Sequence, residues 1–582
     1  MHAIVEANTD HNSNFALTRE RCRSLMYVEQ LHASNPELDY SPCTPFSREA
    51  GEAMRTFVAS LLLVAASVTA TATSLDASER LRSYLEGLDA GDTPAIAGEL
   101  LAEPALLSRF YRSRNSTPVW LDDGPLDKEI PNLLSAIGES VAHGFSAERY
   151  HRSTIERLLN ARDDTSTLAL ELLLTDAFLN QALHRARGAV YPPNLDADWQ
   201  VPQAEIDAVA FLAETAEGRR NVTAALNTLW PTNKEYTQLV QRRAEIVASG
   251  DDITVQVATG RLLKPGQTDE RVILLKQRLM GPGDYSPVYD DDLRREVVAY
   301  QRAAGLEPDG IVGENTLEIL NATRVSWIDK IDANLERWRW LPRETPSTYI
   351  RVNIAAFTLR VIEDNDTVLA MNVIVGKPYR RTPVFTETIK YIVLNPYWNV
   401  PFSIATQDKL PLLKADASAE AKKGFEAKPQ GSDVFVPVDT IDWSGVTKRN
   451  FNYLLRQRPG EINALGRMKF MLPNPYSVYL HDTPGRDLFG RQERTFSSGC
   501  VRLEQPRDLA SWLLARDGNP QSGRLDALLD SGDTTTIYLK EPVPVYLLYF
   551  TAFVADDGDV ALRRDIYGRD KTLIDALRGQ ES

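Results

Sequence analysis

The chain of 582 residues has 80 acidic and 65 basic side chains, which give a formal net charge of −15 at pH 7. This length suggests about four domains at roughly 150 residues each, and three cysteines are too few for a disulfide-stapled fold. The acidic excess repels phosphate backbones, so we expect no nucleic acid among the main partners.

The N-terminal segment has the pattern of an export signal. Residues 54–72 begin with a short basic stretch, continue with an apolar core and end in small residues. The apolar core is shorter than the roughly 20 residues that span a bilayer, so we expect 54–72 to be a cleaved signal peptide. Residues 1–53 are polar and aperiodic, and we interpret them as a mis-called start or a disordered tail. The rest of the chain is then exported, and it is anchored in the inner membrane only if the signal stays uncleaved.

Residues 75–250 predict a helical scaffold domain. Apolar side chains recur there at helical spacing, as in the run of leucines that leads to Phe178. His143, His151 and His184 lie in this region without metal-ligand spacing, and no H-E-x-x-H motif occurs. We therefore interpret them as surface or helix-end histidines and expect no metal.

Residues 260–322 predict a small unit of three short helices, with a glycine-rich turn at 305–313 before the third helix. Residues 323–342 follow as an amphipathic linker helix that ends before Pro342. The linker helix is expected to join this unit to the domain that follows.

After Pro342 the spacing of apolar residues changes to two, which predicts β-strands. We expect a β-rich domain over 345–540, followed by a C-terminal strand and tail over 541–582. A lysine- and alanine-rich stretch at 404–465 interrupts the strands, and it is long enough to form a helical lid over a cleft. The fold class expected for the chain is therefore multidomain α+β.

Cys500 and His481 are the residues that suggest chemistry. Once the signal is removed, Cys500 is the one cysteine left. Lone thiols are a liability in an oxidising compartment, so a thiol that is retained there suggests a chemical role. His481 ends a predicted strand nineteen positions earlier, where an imidazole has rigid support. An imidazole can take the thiol proton and return it to a leaving amine, so the pair is typical of a thiol nucleophile and its base.

The residues around Cys500 suggest further roles. The backbone N–H groups of Gly499 and Cys500 are candidate donors for a developing oxyanion. Arg502 is expected to attract a substrate carboxylate or to hold the thiolate loop. Residue types alone leave an inert buried cysteine open, whereas one Cys and one His are too few ligands for zinc. No K-T-G and no G-x-S-x-G motif is present, which argues against a serine transpeptidase.

Two segments resemble known families. Residues 260–322 resemble the peptidoglycan-binding domain of cell-wall hydrolases and transpeptidases. His481, together with the segment Ser497-Ser498-Gly499-Cys500-Val501-Arg502, resembles the signature of the L,D-transpeptidase catalytic-domain family (YkuD type), and this resemblance extends over 345–540. The domain order, with its helical scaffold, wall-binding module, catalytic domain and lid, is similar to the large periplasmic, YcbB-like branch. Many smaller members have a second histidine at the position of Ser498, so His481 is the expected base here.

The resemblance implies a reaction. Cys500 would attack the third residue of a peptidoglycan tetrapeptide stem and expel D-alanine, which would take a proton from His481. The resulting thioester would pass to the diaminopimelate amine of an acceptor stem in the periplasm. No cofactor is implied, carbapenems acylate members of the family, and wall synthases are candidate partners. Hydrolysis of the same bond by an L,D-carboxypeptidase or wall peptidase, and a non-catalytic wall-binding scaffold, are the alternatives.

Further residues are expected along the cleft. Tyr479 shares a strand face with His481 by the period-two rule. The group that orients His481 is either the Asp482 carboxylate or a backbone carbonyl, and the carbonyl is favoured because adjacent strand residues point to opposite faces. The candidate substrate-binding residues are Arg502, Tyr479, Asn395, Trp398 and Ser498.

Overall fold

The computed structural model describes residues 77–161, 164–218, 220–250, 255–555 and 558–579. The segments interpreted as a signal peptide (54–72) and as a mis-called start or tail (1–53) lie outside the described residues. Within the described ranges, no helix combines the length and the apolar character that a membrane crossing requires.

The N-terminal part of the described chain is built from helices around α5. The helices are α1 (77–90), α2 (Pro104–Ser113), α3 (Ile130–Ser140), α4 (Arg152–Leu159), α5 (Asp164–Arg187), α6 (Pro192–Leu195), α7 (Ala208–Ala216), α8 (Val222–Asn227) and α9 (Lys234–Ser249). Strands β1 (Ala95–Ile96) and β2 (Glu99–Leu100) form a hairpin, and β3 (Trp199–Gln200) joins a later sheet. From 169 to 186 every side chain of α5 except that of His184 is buried, which places this helix at the centre of the scaffold.

A carboxylate in the middle of α5 fixes the loop that crosses it. Glu171 accepts hydrogen bonds from the backbone N–H groups of Val119, Trp120 and Leu121 at 2.5, 3.1 and 3.1 Å, and from the Tyr111 hydroxyl at 2.7 Å. Burial raises the pKa of Glu171 to about 7, and these donors act in the opposite direction. The buried acid and the loop's backbone donors therefore satisfy one another.

A three-helix unit follows with an apolar core of its own. It consists of α10 (Arg271–Met280), α11 (Asp291–Ala303) and α12 (Glu314–Leu320). The Asp290 side chain caps α11 by accepting from the Leu293 N–H at 2.9 Å. The buried Gln301 side chain holds the turn before α12, because it accepts from the Gly310 N–H at 2.9 Å and donates to the Ile311 carbonyl at 3.0 Å.

Helix α13 (Arg324–Arg339) is a central element and not a surface linker. Its second half is buried, including the charged residues Glu336, Arg337 and Arg339. Arg339 pairs with Glu336 at 2.8 Å, and Arg337 pairs with Asp570 at 2.6 Å. The amphipathic prediction is wrong for this half, because charges that pair with one another are tolerated inside the protein.

The C-terminal half contains most of the strands. They are β4 (Thr348–Asn353), β5 (Thr358–Glu363), β6 (Asp366–Gly376), β7 (Val384–Leu394), β8 (Trp398–Asn399), β9 (Phe425–Pro429), β10 (Val436–Pro437), β11 (Tyr453–Gln457), β12 (Met468–Met471), β13 (Leu480–His481), β14 (Thr495–Ser497), β15 (Val501–Leu503), β16 (Thr535–Leu548), β17 (Ala552–Val554) and β18 (Val560–Leu562). The main sheet has the order β12-β13-β15-β6-β5-β4-β16-β7-β3, and β7 also pairs with β12. The sheet therefore closes on itself as a barrel, and the expected multidomain α+β class is confirmed.

Residues 398–465, called the lid below, mix helix and sheet. Helix α14 (Phe402–Ile404), a π-helical turn (Ala405–Lys409) and α15 (Leu410–Lys422) come first. Strands β8 to β11 then form a four-stranded sheet in the order β10-β9-β11-β8. The prediction of a helical lid over 404–465 is therefore wrong for 425–457, where the lysine and alanine residues of 409–423 give way to aromatic and β-branched residues that favour strands. The lid has an apolar cluster separate from the barrel core.

The predicted division at 540 cuts through a strand. β16 pairs with β7 before this point and with β4 and β7 after it, so it belongs wholly to the barrel. Helices α16 (Pro506–Arg516) and α17 (Leu525–Asp530) precede it, and α18 (Arg569–Gly579) ends the described chain. The C-terminal segment is not a tail, because its buried Thr551 and Asp570 bond to one another at 2.8 Å and to α13.

The three scaffold histidines are held inside the domain. His143 stacks on Trp230 with ring centroids 3.8 Å apart, and its Nδ1 lies 2.8 Å from the Tyr236 hydroxyl. His184 is bonded to the Tyr150 hydroxyl, and His151 to Glu99 and Asp176. His143 ends a 3-10 turn, His151 is the N-cap of α4 and His184 lies in the last turn of α5. The helix-end alternative of the prediction is therefore confirmed, whereas the surface alternative is wrong for His151, which is buried. No group of three or more His, Cys, Asp or Glu side chains suited to a metal occurs in the described ranges.

Acidification is expected to destabilise the scaffold through His143. Burial, followed by the charges of Arg339 and Arg185, lowers its pKa to about 3, whereas the unfolded chain has a value near 6.5. The unfolded state therefore binds the extra proton between these values, and stability falls with falling pH by at most about 1.4 kcal/mol per unit. His143→Gln should reduce the slope of unfolding free energy against pH, measured by urea denaturation between pH 7 and 4.5. Equal slopes in the variant and the wild-type protein would contradict this assignment.

Candidate active site

A cleft of about 960 Å³ lies between the outer face of the barrel and the lid. The barrel contributes the ends of β13 and β15 and the loop that joins β6 to β7, while the lid contributes its π-helical turn. The residues that line it include Arg380, Trp398, Asp408, Tyr479, His481, Ser498, Cys500 and Arg502.

Strand register brings His481 and Cys500 together. β13 and β15 are parallel neighbours, with Leu480 opposite Val501 and His481 opposite Arg502. Leu480 and Val501 point into the barrel core, so their alternate neighbours face the cleft. The Val501 N–H donates to the Tyr479 carbonyl at 3.2 Å, which continues the pairing by one residue. Tyr479, His481, Cys500 and Arg502 therefore share one face.

The turn that carries Cys500 is fixed by hydrogen bonds. Gly499 has φ +116°, a conformation that a side chain would strain. The Thr382 hydroxyl donates to the Gly499 carbonyl at 2.9 Å, and the Ser497 hydroxyl donates to the Cys500 carbonyl at 2.5 Å. Tyr567 reaches the same region from the C-terminal segment and accepts from the Thr382 N–H at 3.2 Å. The thiol is thus presented by a rigid turn and is itself half-buried.

A backbone carbonyl orients His481. Its Nδ1 lies 2.5 Å from the carbonyl oxygen of Asp482. A carbonyl accepts only, so Nδ1 carries the proton and the lone pair of the neutral ring is on Nε2. The Asp482 carboxylate instead accepts from the N–H groups of Arg467 and Thr483 at 2.8 and 2.7 Å. It therefore shapes the turn after β13 and is not a third member of the site.

The surroundings of His481 and Cys500 favour the uncharged form of each group. Burial, with the charges of Arg502 and Lys469, lowers the pKa of His481 to about 3. Burial raises the pKa of the Cys500 thiol, although hydrogen bonds from Tyr479 and the charges of Lys469 and Arg502 act in the opposite direction. In the described structure no hydrogen bond joins imidazole and thiol, and Sγ lies 3.8 Å from the Ser477 carbonyl.

The predicted oxyanion donors differ in what they already bind. The Gly499 N–H donates to the Ser497 hydroxyl at 3.1 Å, so it is occupied. Among the described residues the Cys500 N–H has no acceptor. The structure therefore leaves Cys500 as the available backbone donor of the two.

Of the candidate substrate-binding residues, Arg502, Tyr479, Trp398 and Ser498 line the cleft. Asn395 does not. It lies in a turn with φ +44°, and its amide donates to the carbonyls of Leu528 and Leu529 at 3.1 and 3.0 Å. Its polar character reflects capping of the end of α17, so the prediction of a cleft position is wrong.

Two sets of side chains at the site were not predicted from the sequence. Arg380 makes a bidentate contact with Asp408 of the lid at 2.5 and 2.9 Å and donates to the Ser498 hydroxyl at 3.0 Å. Lys469 on β12 lies opposite His481 in the sheet. The sequence did offer a signal for Lys469, because a lysine stands there between the core residues Met468 and Phe470. It offered no signal for the contacts of Arg380, because they join segments that are far apart in the sequence.

Family comparisons match three segments of the chain. Residues 105–242 match the family described as a scaffold domain, 268–320 the "Putative peptidoglycan binding domain", and 347–544 the L,D-transpeptidase catalytic domain (YkuD). The two resemblances drawn from the sequence are thereby confirmed.

A relative from Haemophilus influenzae, named "Putative L,D-transpeptidase", is 37% identical over 244 residues. The match covers 42% of this chain and 48% of that protein. The chain therefore spans about half the length of this curated relative.

Solved structures of L,D-transpeptidases are also similar to part of the chain. Those from Xylanimonas cellulosilytica and Stackebrandtia nassauensis have 14% and 13% identity and TM-scores of 0.15 and 0.18. They cover 50% and 51% of this chain and 99% and 97% of their own. One from Mycobacterium smegmatis has 14% identity and a TM-score of 0.17, covering 35% of this chain and 58% of its own.

The contact between Arg380 and Asp408 is expected to hold the lid against the turn that carries Cys500. Asp408→Asn keeps the shape but removes the charge, so the lid should open more often, by about two- to fivefold for a partly exposed pair. Hydrogen exchange of amides 402–413 measures this opening. The matched control is Asp439→Asn, an exposed lid carboxylate away from the cleft. Equal rates of hydrogen exchange in the two variants would show that the contact between Arg380 and Asp408 does not hold the lid closed.

Proposed function

Because the chain carries an L,D-transpeptidase catalytic domain, we propose that it cross-links peptidoglycan stem peptides between their third residues through a thioester on Cys500. The observation that supports this most directly is the shared face of His481 and Cys500 on neighbouring parallel strands, at the floor of a lidded cleft. The peptidoglycan-binding domain at 268–320 supports the same substrate.

In the first step, Sγ of Cys500 attacks the carbonyl carbon of the third stem residue, a diaminopimelate. The S–C bond forms and the C–N bond to the terminal D-alanine breaks. His481 takes the thiol proton at Nε2 and gives it to the departing amine, so D-alanine leaves as a neutral amine. The neutral imidazole with its proton on Nδ1 is the tautomer that this transfer requires.

In the second step, the side-chain amine of an acceptor stem attacks the thioester. A C–N bond forms, the C–S bond breaks, and the amine proton returns to sulfur through His481. The net result exchanges one amide for another, which needs no external energy source and no cofactor. Covalent catalysis divides this exchange into two steps with lower barriers.

Charge develops on the carbonyl oxygen in both steps. Of the two predicted donors, the Cys500 N–H has no acceptor among the described residues. It supplies one hydrogen bond to this oxyanion. Proton transfer accompanies attack, because burial raises the pKa of the thiol and lowers that of His481. A free thiolate is therefore not required before substrate binds.

Arg502 is suited to bind a stem carboxylate. It lines the cleft, and its buried Nε has no hydrogen-bond partner within the described ranges. A buried guanidinium donor without an acceptor costs free energy, which a substrate carboxylate would recover. Tyr479, Trp398 and Ser498 form the adjoining walls of the cleft.

The lid bears on the choice between transfer and hydrolysis. It covers the cleft from the side of Gln407 and Asp408, and exclusion of water protects a thioester until an amine arrives. We place this reaction in the periplasm, with residues 54–72 as the export signal.

Acylation by a carbapenem tests the nucleophile. Meropenem should add once to the peptide that contains Cys500, detected by mass spectrometry after digestion of the full chain. Cys500→Ala should abolish the adduct. His481→Gln should slow acylation by about a hundredfold or more, the usual range for a general base. An unmodified Cys500 in a folded protein, or full reactivity without His481, would contradict the proposal.

Muropeptides separate transfer from hydrolysis. Incubation with tetrapeptide-bearing muropeptides should give cross-linked dimers and release one D-alanine for each new bond, measured by chromatography and mass spectrometry. Tripeptides without dimers would identify an L,D-carboxypeptidase. Absence of both products, with Cys500 intact, would favour a wall-binding scaffold.

A further inference from the structure

Lys469 carries a positive charge on the strand next to the one that ends in His481, against the ring of Tyr479. It lies on β12, directly opposite His481 on β13, and its neighbours Met468 and Phe470 point into the barrel core. Its side chain therefore lies on the face that carries the site. The ammonium nitrogen is 3.9 Å from the centroid of the Tyr479 ring, a short cation–π distance.

This ammonium lacks an anionic partner. Within the described ranges no carboxylate lies within 4.0 Å of Lys469, although its side chain is half-buried. Burial lowers the pKa of Lys469, whereas negative charge on Cys500 raises it. Holding an unpaired cation away from water costs free energy, so a compensating interaction is expected. The nearby group that becomes anionic in the reaction is the Cys500 sulfur.

Lys469 and Arg502 differ in their access to substrate. Arg502 lines the open cleft, whereas Lys469 does not and lies behind the Tyr479 ring. A substrate carboxylate bound by Arg502 neutralises that charge when the reaction begins. The charge of Lys469 remains, because the ring separates it from the substrate.

We propose that Lys469 is a positioning residue that stabilises negative charge on the Cys500 sulfur and holds the Tyr479 ring against the nucleophile. This role rests on the proposed function, since it matters when the sulfur attacks and leaves. It explains why an otherwise costly lysine is tolerated in a strand at the edge of the barrel core.

The electrostatic surroundings of Cys500 come from several elements. Lys469 acts from β12, and the turn before β15 carries the thiol itself. The other titratable or charged groups that line the cleft are Tyr379, Tyr476, Tyr479, His481, Arg502, Lys377, Arg380, Arg381, Asp408 and Lys409. These groups are the same in all the variants compared below, so they do not contribute to a difference between the variants.

The test is the pH dependence of Cys500 alkylation by iodoacetamide, followed on the Cys500 peptide of the full chain. Lys469→Met removes the charge at similar length, so the thiol pKa should rise and the rate near pH 7 should fall about tenfold for each unit of rise. Lys469→Arg should restore most of the wild-type profile. Lys390→Met, at an exposed position of neighbouring strand β7, should leave it unchanged.

A structural role alone would lower activity without moving the alkylation profile, and an unshifted profile in folded Lys469→Met overturns the proposal. If this variant does not fold, Lys469→Gln supplies a neutral side chain with a polar end for the same measurement. The outcome is separable from the proposed function. A wild-type protein that is alkylated but makes no dimers from muropeptides refutes the function, while its alkylation profile still decides the role of Lys469.

Discussion

The parallel pairing of β13 with β15 is the constraint on which the site depends. Each strand has only two or three residues, yet their register decides which side chains face the cleft and which face the barrel core. A shift by one residue would send His481 and Cys500 inward and Leu480 and Val501 into the cleft. The apolar core therefore fixes the geometry of the candidate site, because burying Leu480 and Val501 leaves one orientation for their neighbours.

The parts distant from the cleft support this register through buried polar contacts. Tyr567, far along the chain, donates to the Gly376 carbonyl at 2.6 Å and helps to hold Thr382, which in turn holds Gly499. Arg337 of α13 binds Asp570 at the start of α18, so the scaffold side and the C-terminal segment share one ion pair. Breaking such a pair leaves a buried charge without compensation, so these contacts resist separation of the elements.

Sequence patterns were sufficient to select Cys500 and His481 as a candidate pair, which the structure brings to one face, and to predict the alternation from helices to strands. Both depend on local spacing and a rare residue type. They failed where long-range pairing decides the outcome. Asn395 looked like a cleft residue but caps a helix end, and the lysine-rich lid forms a sheet in its second part. The second half of α13 is buried with its charges, and one of them, Arg337, has its partner Asp570 far away in sequence. Arg380 and Asp408 meet only in the folded chain.

The separate apolar cluster of the lid has an evolutionary consequence. Substitutions at Trp443 or Phe451 repack the lid without reaching the barrel core. Cooperative units with their own cores gain or lose stability independently. Under the proposed function, adaptation to a new acyl acceptor therefore has a region in which to act while the strands next to Cys500 stay unchanged. Tyr479 packs against that cluster and is hydrogen-bonded to the thiol, so substitutions in the lid would alter the surroundings of Cys500 through this ring.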